Sequence, residues 1–248
     1  MARPKVAFFD LSSCEGCQLQ VTNIGAVLFE LLGVIDLVEF REVLSERSAE
    51  RYHLAFVEGS VSNTEAERRL KEIRARSDAL IAYGSCATNG GVNGMKNGHS
   101  LVAAQTEVYA EHGAWFPTTS TRALHQLVTV DYMIPGCPIH PDEFIKVIKA
   151  ALAGLPSPVP DYAVCVECKL NENVCLYDKG ITCLGPITRA GCHAWCINNG
   201  NTCYGCRGLV SNPNRSGAAA VLHHYGLDAE QIVKRMTMYN AAMEPDNA

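Results

Sequence analysis

At 248 residues the chain is longer than one ordinary domain and shorter than two large ones, so a main domain with a smaller appendage fits. It is 48% hydrophobic and 19% charged, which excludes a disordered chain and suits a globular one with a sizeable core. The formal net charge of -5 gives no reason to expect nucleic acid, because phosphate binders carry a basic stripe. The start, MARPKVAFFDL, enters a strand-like run at once, without the charged start, apolar stretch and cleavage site of a secretory signal. No window approaches the roughly 18 consecutive apolar residues of a membrane helix. The reading is a cytoplasmic protein, not an integral membrane one, in which twelve cysteines serve metal or redox chemistry rather than disulfides.

In chain order, strand-like runs occupy 6–11, 36–40, 53–59, 78–84 and 129–136. Between them the spacing predicts helices over 18–32, with Leu19, Val21, Ile24, Val27, Leu28, Leu31 and Leu32 on an apolar stripe, and over 63–76, capped by Asn63 or Thr64. A third helix is expected over 141–153. Strands separated by helices argue for an α/β fold with a doubly wound parallel sheet. Arg68, Arg69, Lys71, Arg74 and Arg76, interleaved with Glu65, Glu67 and Glu72, read as the solvated face of the second helix.

The run GLPSPVP (154–160) continues neither helix nor central strand and divides a first domain, 1–158, from a second, 159–248. Residues 161–215 are rich in glycine, asparagine and cysteine and poor in aliphatic side chains, so metal centres are expected to hold them together. The tail, 228–243, reads as a short packing helix with Asp228 as cap and Ile232, Val233, Met236 and Tyr239 inward.

Four cysteines fall just beyond strand ends: Cys14 and Cys17 in SSCEGCQ, Cys86 in YGSCATNGG and Cys137 in IPGCPIH. The crevice outside the carboxyl ends of the strands is where an open α/β sheet binds ligands. Four converging thiolates suit zinc or an iron-sulfur cluster. The Cys-x-x-Cys pair alone would also fit a redox dithiol, but the two further cysteines weigh against that. GSCATNGGVNG contains neither phosphate-loop pattern, GxGxxG or GxxxxGK[ST]. Glu58, at the end of the third strand, is a candidate to face the same crevice, or else a solvated loop acid.

The other eight cysteines lie at 165, 168, 175 and 183, then 192, 196, 203 and 206. Two sets of four is the natural division. Only the outer pairs, 165/168 and 203/206, make zinc knuckles, and the compact bacterial ferredoxin run is absent, so spacing fits zinc and iron alike. His193 beside Cys192 is a conceivable ligand but reads better as a surface or supporting residue; His223 and His224 point apart on a helix and are given no metal role.

Taken together, CxGC after the first strand, EGSV, GSCA, PGCP and the tail motifs CLGPITRAGC and CYGCRG resemble the small subunit of nickel-iron hydrogenases, of the cytoplasmic sulfhydrogenase kind. The resemblance runs to about residue 210. It implies a flavodoxin-like domain followed by an irregular iron-sulfur domain, and electron relay between the nickel-iron site of a large subunit and a diaphorase or other flavin or iron-sulfur acceptor subunit handling NAD(P), ferredoxin or similar. Carried over by position, Cys14, Cys17, Cys86 and Cys137 match the proximal cluster ligands. Cys165, Cys168, Cys175 and Cys183 match the distal ones, and Cys192, Cys196, Cys203 and Cys206 the medial ones. Periplasmic and membrane-bound members place histidine where this chain has Cys165, and often proline where it has Cys196. These departures imply three 4Fe-4S clusters, all thiolate-bound. The chain lacks the large subunit's nickel-binding cysteine pairs, so it is expected not to activate hydrogen alone. Two other classes remain open, a cluster-bearing subunit of a respiratory quinone-reducing module and a zinc-stabilised interaction protein.

Overall fold

The computed structural model describes residues 3–46 and 51–243. Its frame is one sheet of five parallel strands, β1 (Lys5–Asp10), β2 (Asp36–Phe40), β3 (Tyr52–Glu58), β4 (Ser77–Tyr83) and β5 (Tyr132–Ile134), in the order β2-β1-β3-β4-β5. This is the flavodoxin-like order, with the switch point between β1 and β3. Alternation along β1 feeds two cores. Val6 and Phe8 face one with Phe40, Phe56, Tyr83, Phe144 and Val147; Ala7 and Phe9 face the other with Val57, Leu70, Ile73 and Leu80. Phe8 stacks between Phe40 and Phe56, centroids 4.5 and 4.7 Å away.

The helix expected over 18–32 is broken into α1 (Gly16–Thr22) and α2 (Ala26–Val34), bent 86° to each other. Gly25, at φ +64, makes the turn. Of the expected stripe, Leu19 is half exposed. Helix α3 (Thr64–Ala75) begins as expected, Asn63 Oδ1 accepting from the Ala66 N–H at 2.7 Å. Its cations divide. Arg68 and Lys71 make exposed ion pairs along the helix, whereas Arg69 donates to the Asp10 carbonyl and Arg74 to Asp131, tying α3 to the sheet. A short α4 (Ser85–Asn89) and an excursion containing α5 (Leu101–Tyr109) precede β5, the last of the five runs, which shrinks to three residues. Helix α6 (Pro141–Leu152) closes the first core with Phe144, Val147 and Ile148.

The segment after residue 160 has more of an apolar core than its composition suggests. Val164, Leu184, Ile187, Ile197 and Leu222 form a third small core with Cys183 and Cys203. It is framed by α7 (Val164–Leu170), α8 (Trp195–Asn198), α9 (Arg215–His224) and α10 (Ala229–Thr237), the last two adding Ala218, Ile232 and Met236 as a lid. Val233 was expected inward and is 60% exposed, because α10 covers the core along one narrow edge. The core escaped the sequence reading because its buried members are scattered over nearly 60 positions without periodicity.

Two features fix this segment to the sheet. The Arg207 guanidinium, 1% exposed, meets the Glu143 carboxylate of α6 at 2.6 Å and also donates to the Pro135 and Ala190 carbonyls. Residues 239–243 return to the first half, where Ala242 packs on Gly90 and Gly94 and accepts from Gln126. Among the described residues no single helix is long and apolar enough to cross a membrane; α1 and α2 reach that apolarity only as a bent pair.

Candidate metal centres

The loops at the strand ends bring Cys14, Cys17, Cys86 and Cys137 together. The thiols share one electrostatic neighbourhood: Cys17 feels Cys137 and Cys86, and Cys86 feels Cys137 and Cys14. The backbone has been cleared for their sulfurs. A Cβ on Gly84, itself at φ +87, would fall 2.5 Å from Cys17 Sγ. The Cys137–Pro138 peptide is cis.

Glu58 lies inside this crevice, 2% exposed, not on a solvated loop. Its carboxylate accepts from the Cys17 N–H at 3.3 Å and the Gln18 N–H at 3.0 Å, so it holds the first turn of α1 where Cys17 needs it. Burial pushes the Glu58 carboxyl up to about 7, opposed by these two N–H donors.

The next four cysteines also converge. Cys165 feels Cys183, Cys168 and Cys175, and a Cβ on Gly185 would stand 3.3 Å from Cys165 Sγ and 3.4 Å from Cys183 Sγ. The last four meet around Cys206, which feels Cys192 and Cys196 and is itself felt by Cys203. The groups are coupled in series. Cys206 Sγ accepts from the Cys137 N–H, linking the first set to the third, while Cys196 and Cys203 both feel Cys183 of the second.

Burial drives the thiols up, Cys86 to about 12, Cys206 to about 12 and Cys165 to about 11, with neighbouring cysteines adding to the shift. Four thiolates so placed repel one another unless a cation accompanies them, the condition a metal centre supplies. Backbone donors help: Ile139 to Cys17, Trp195 and Ala194 to Cys192, Gly205 to Cys203.

Thiol spacing tests the kind of centre. A tetrahedral zinc with sulfur at about 2.3 Å holds its ligands only about 3.8 Å apart. Among the described residues, which include all twelve cysteines, no three thiols have their sulfurs within 4.8 Å of one another; the single group that tight is His140, Asp142 and His193. The cysteines therefore stand further apart than the ligands of a closed tetrahedral zinc site.

Several supporting residues were not singled out from sequence. Glu167, 7% exposed, accepts from the Gly191 and Ala194 N–H groups on either side of Cys192, as Glu58 does around Cys17. The Tyr239 hydroxyl touches the Cys137 thiol and feels Cys206 and Cys196. A glutamate two residues after Cys165 was the available signal; Tyr239 was expected inward, but only for packing. His193 is half exposed and stands against His140, and His223 and His224 are exposed on α9.

The model of the family described as "NADH ubiquinone oxidoreductase, 20 Kd subunit" matches residues 14–151, from the first cysteine to α6. Among relatives, the delta subunit of sulfhydrogenase 2 from Pyrococcus furiosus is 36% identical over 95% of this chain and 98% of that one. The delta subunit of the NAD-reducing hydrogenase HoxS from Cupriavidus necator is 33% identical over 63% of this chain and 82% of its own. The actinobacterial-type NiFe-hydrogenase structure from Ralstonia eutropha H16 shares the fold, with a TM-score of 0.61 over 99% of this chain and 93% of that one at 15% identity. The chain belongs to this family of oxidoreductase subunits. Within it, the chain is a hydrogenase small subunit, the branch that the full-length match defines.

Proposed function

We propose that the chain conducts electrons in a cytoplasmic nickel-iron hydrogenase through three 4Fe-4S clusters. Cys14, Cys17, Cys86 and Cys137 hold the proximal one; Cys192, Cys196, Cys203 and Cys206 the medial; Cys165, Cys168, Cys175 and Cys183 the distal. The observation that carries the reading is the gathering of twelve cysteines into three sets of four that are coupled in the series first, third, second. Each cluster, when bound, takes up and releases single electrons.

The chain's own residues set the terms. All-thiolate ligation favours low potentials, suited to hydrogen and nicotinamide couples, and the N–H groups aimed at Cys17, Cys192 and Cys203 partly offset that charge. Glu58 and Glu167 keep the two loops in shape. The crevice at Cys14 and Glu58 faces the nickel-iron large subunit, and the Cys165 end faces a flavin- or iron-sulfur-bearing acceptor subunit. The name of the HoxS relative favours a nicotinamide couple there. Residues 1–158 carry the proximal ligands and 159–248 the rest.

Anaerobic purification with iron and sulfide analysis is the direct test. About twelve irons per chain are expected; a colourless zinc protein overturns the reading. In the assembled enzyme Cys17→Ala should abolish hydrogen-dependent acceptor reduction, and unchanged turnover with a fully loaded large subunit would refute the relay.

A further inference from the structure

Away from the thiols, three ligating side chains converge at the start of α6. His140 caps the helix, its Nδ1 accepting from the Asp142 N–H at 3.3 Å. Asp142 Oδ2 lies 4.0 Å from that nitrogen and 3.9 Å from His193 Nε2. All three ligand atoms fall within 4.8 Å of one another, and the two imidazoles meet edge to face, centroids 4.8 Å apart. His193 reaches this point because it and Ala194 adopt left-handed backbone, φ +54 and +53, which side chains other than glycine ordinarily avoid. The Glu167 carboxylate holds that turn through the Gly191 and Ala194 N–H groups.

We propose that His140, Asp142 and His193 bind a divalent transition-metal ion of the zinc class, clasping α6 to the loop that carries Cys192 and Cys196. Two imidazoles and one carboxylate suit Zn²⁺, Co²⁺ or Ni²⁺, whereas Mg²⁺ and Ca²⁺ want oxygen throughout. Donors about 2.1 Å from a tetrahedral ion stand about 3.4 Å apart. The 3.9 and 4.0 Å separations therefore need to close only slightly, and Asp142 and His193, 64% and 52% exposed at their side chains, have room to turn. The long cap bond to His140 Nδ1 gives way, the metal becoming that nitrogen's partner. A fourth position opens to solvent and takes water. The positive end of α6 and the Arg207 guanidinium oppose a cation here; the charges of Asp142 and Glu167 work the other way. The site uses no thiol and depends on no assignment of the clusters.

The test is metal retention by the anaerobically prepared full-length chain, dialysed against chelator-buffered micromolar Zn²⁺, with zinc and iron counted by mass spectrometry in the same sample. Wild type should hold about one zinc with its iron unchanged. His140→Ala, Asp142→Asn and His193→Ala should each weaken retention at least about tenfold, while His223→Ala on α9 should not. Asp142→Asn alters only an exposed carboxylate, and its iron content reports whether the fold survives. Zinc retained equally by all three variants, or no zinc on wild type carrying its full iron, overturns the proposal.

Discussion

At the scale of single residues, the glycines around the thiols set the sharpest limits. Gly84→Ala puts a methyl group 2.5 Å from Cys17 Sγ at a φ of +87; on the proposed three-cluster reading the first site should lose its iron, about four of twelve per chain, while the other two stay loaded. Iron counting and cluster absorbance read this directly; full iron in the variant contradicts it. The cysteine positions were legible because thiolate chemistry is encoded in residue type. The acids were only half legible. Glu58 declared itself by standing at a strand end, but its orientation rests on two α1 amides 40 or so positions away in sequence. Tyr239 meets Cys137 and Arg207 meets Glu143 across more than 60 residues, which local pattern does not encode.

Among the elements, β1, β3 and β4 were readable because strands buried on both faces are near-continuous apolar runs. Helix α3 was readable from its cap and acidic first turn. Asn63→Ala should cost about 1 kcal/mol of local stability, seen as roughly fivefold faster hydrogen exchange in α3 with strand β3 unaffected; equal rates would show that the cap bond to Ala66 contributes nothing. The stretch over 18–32 misled because apolar periodicity continues across Asn23 and Gly25, while backbone conformation at Gly25 ends it. Helix α5 buries no side chain and so writes no apolar stripe to find.

For the molecule as a whole, the Arg207–Glu143 pair is the main electrostatic joint between the sheet and the cysteine-rich segment. Burial pushes the Glu143 carboxyl up and Arg207 opposes that shift. Arg207→Ala leaves the carboxylate buried and alone and should cost about 3–5 kcal/mol in denaturation, whereas Arg207→Met with Glu143→Leu should recover most of the loss. A double variant as unstable as the single one would show that the guanidinium's carbonyl contacts dominate. Removing iron with a chelator should separate the two halves. The strands, with two full cores, should keep their exchange protection, while residues 161–210 lose theirs because the third core is small. Uniform loss along the chain would mean that the sheet also depends on metal.

The return of residues 239–243 to Gly90 and Gly94 bears on biosynthesis. The turn after Cys86 is packed by a segment made some 150 codons later, and the Cys137 thiol waits some 100 codons for the Tyr239 hydroxyl. On the ribosome the first cage therefore has its four thiols well before it has its cover. Iron delivered during synthesis meets an open cage, and the arrival of the tail then acts as the closing stitch.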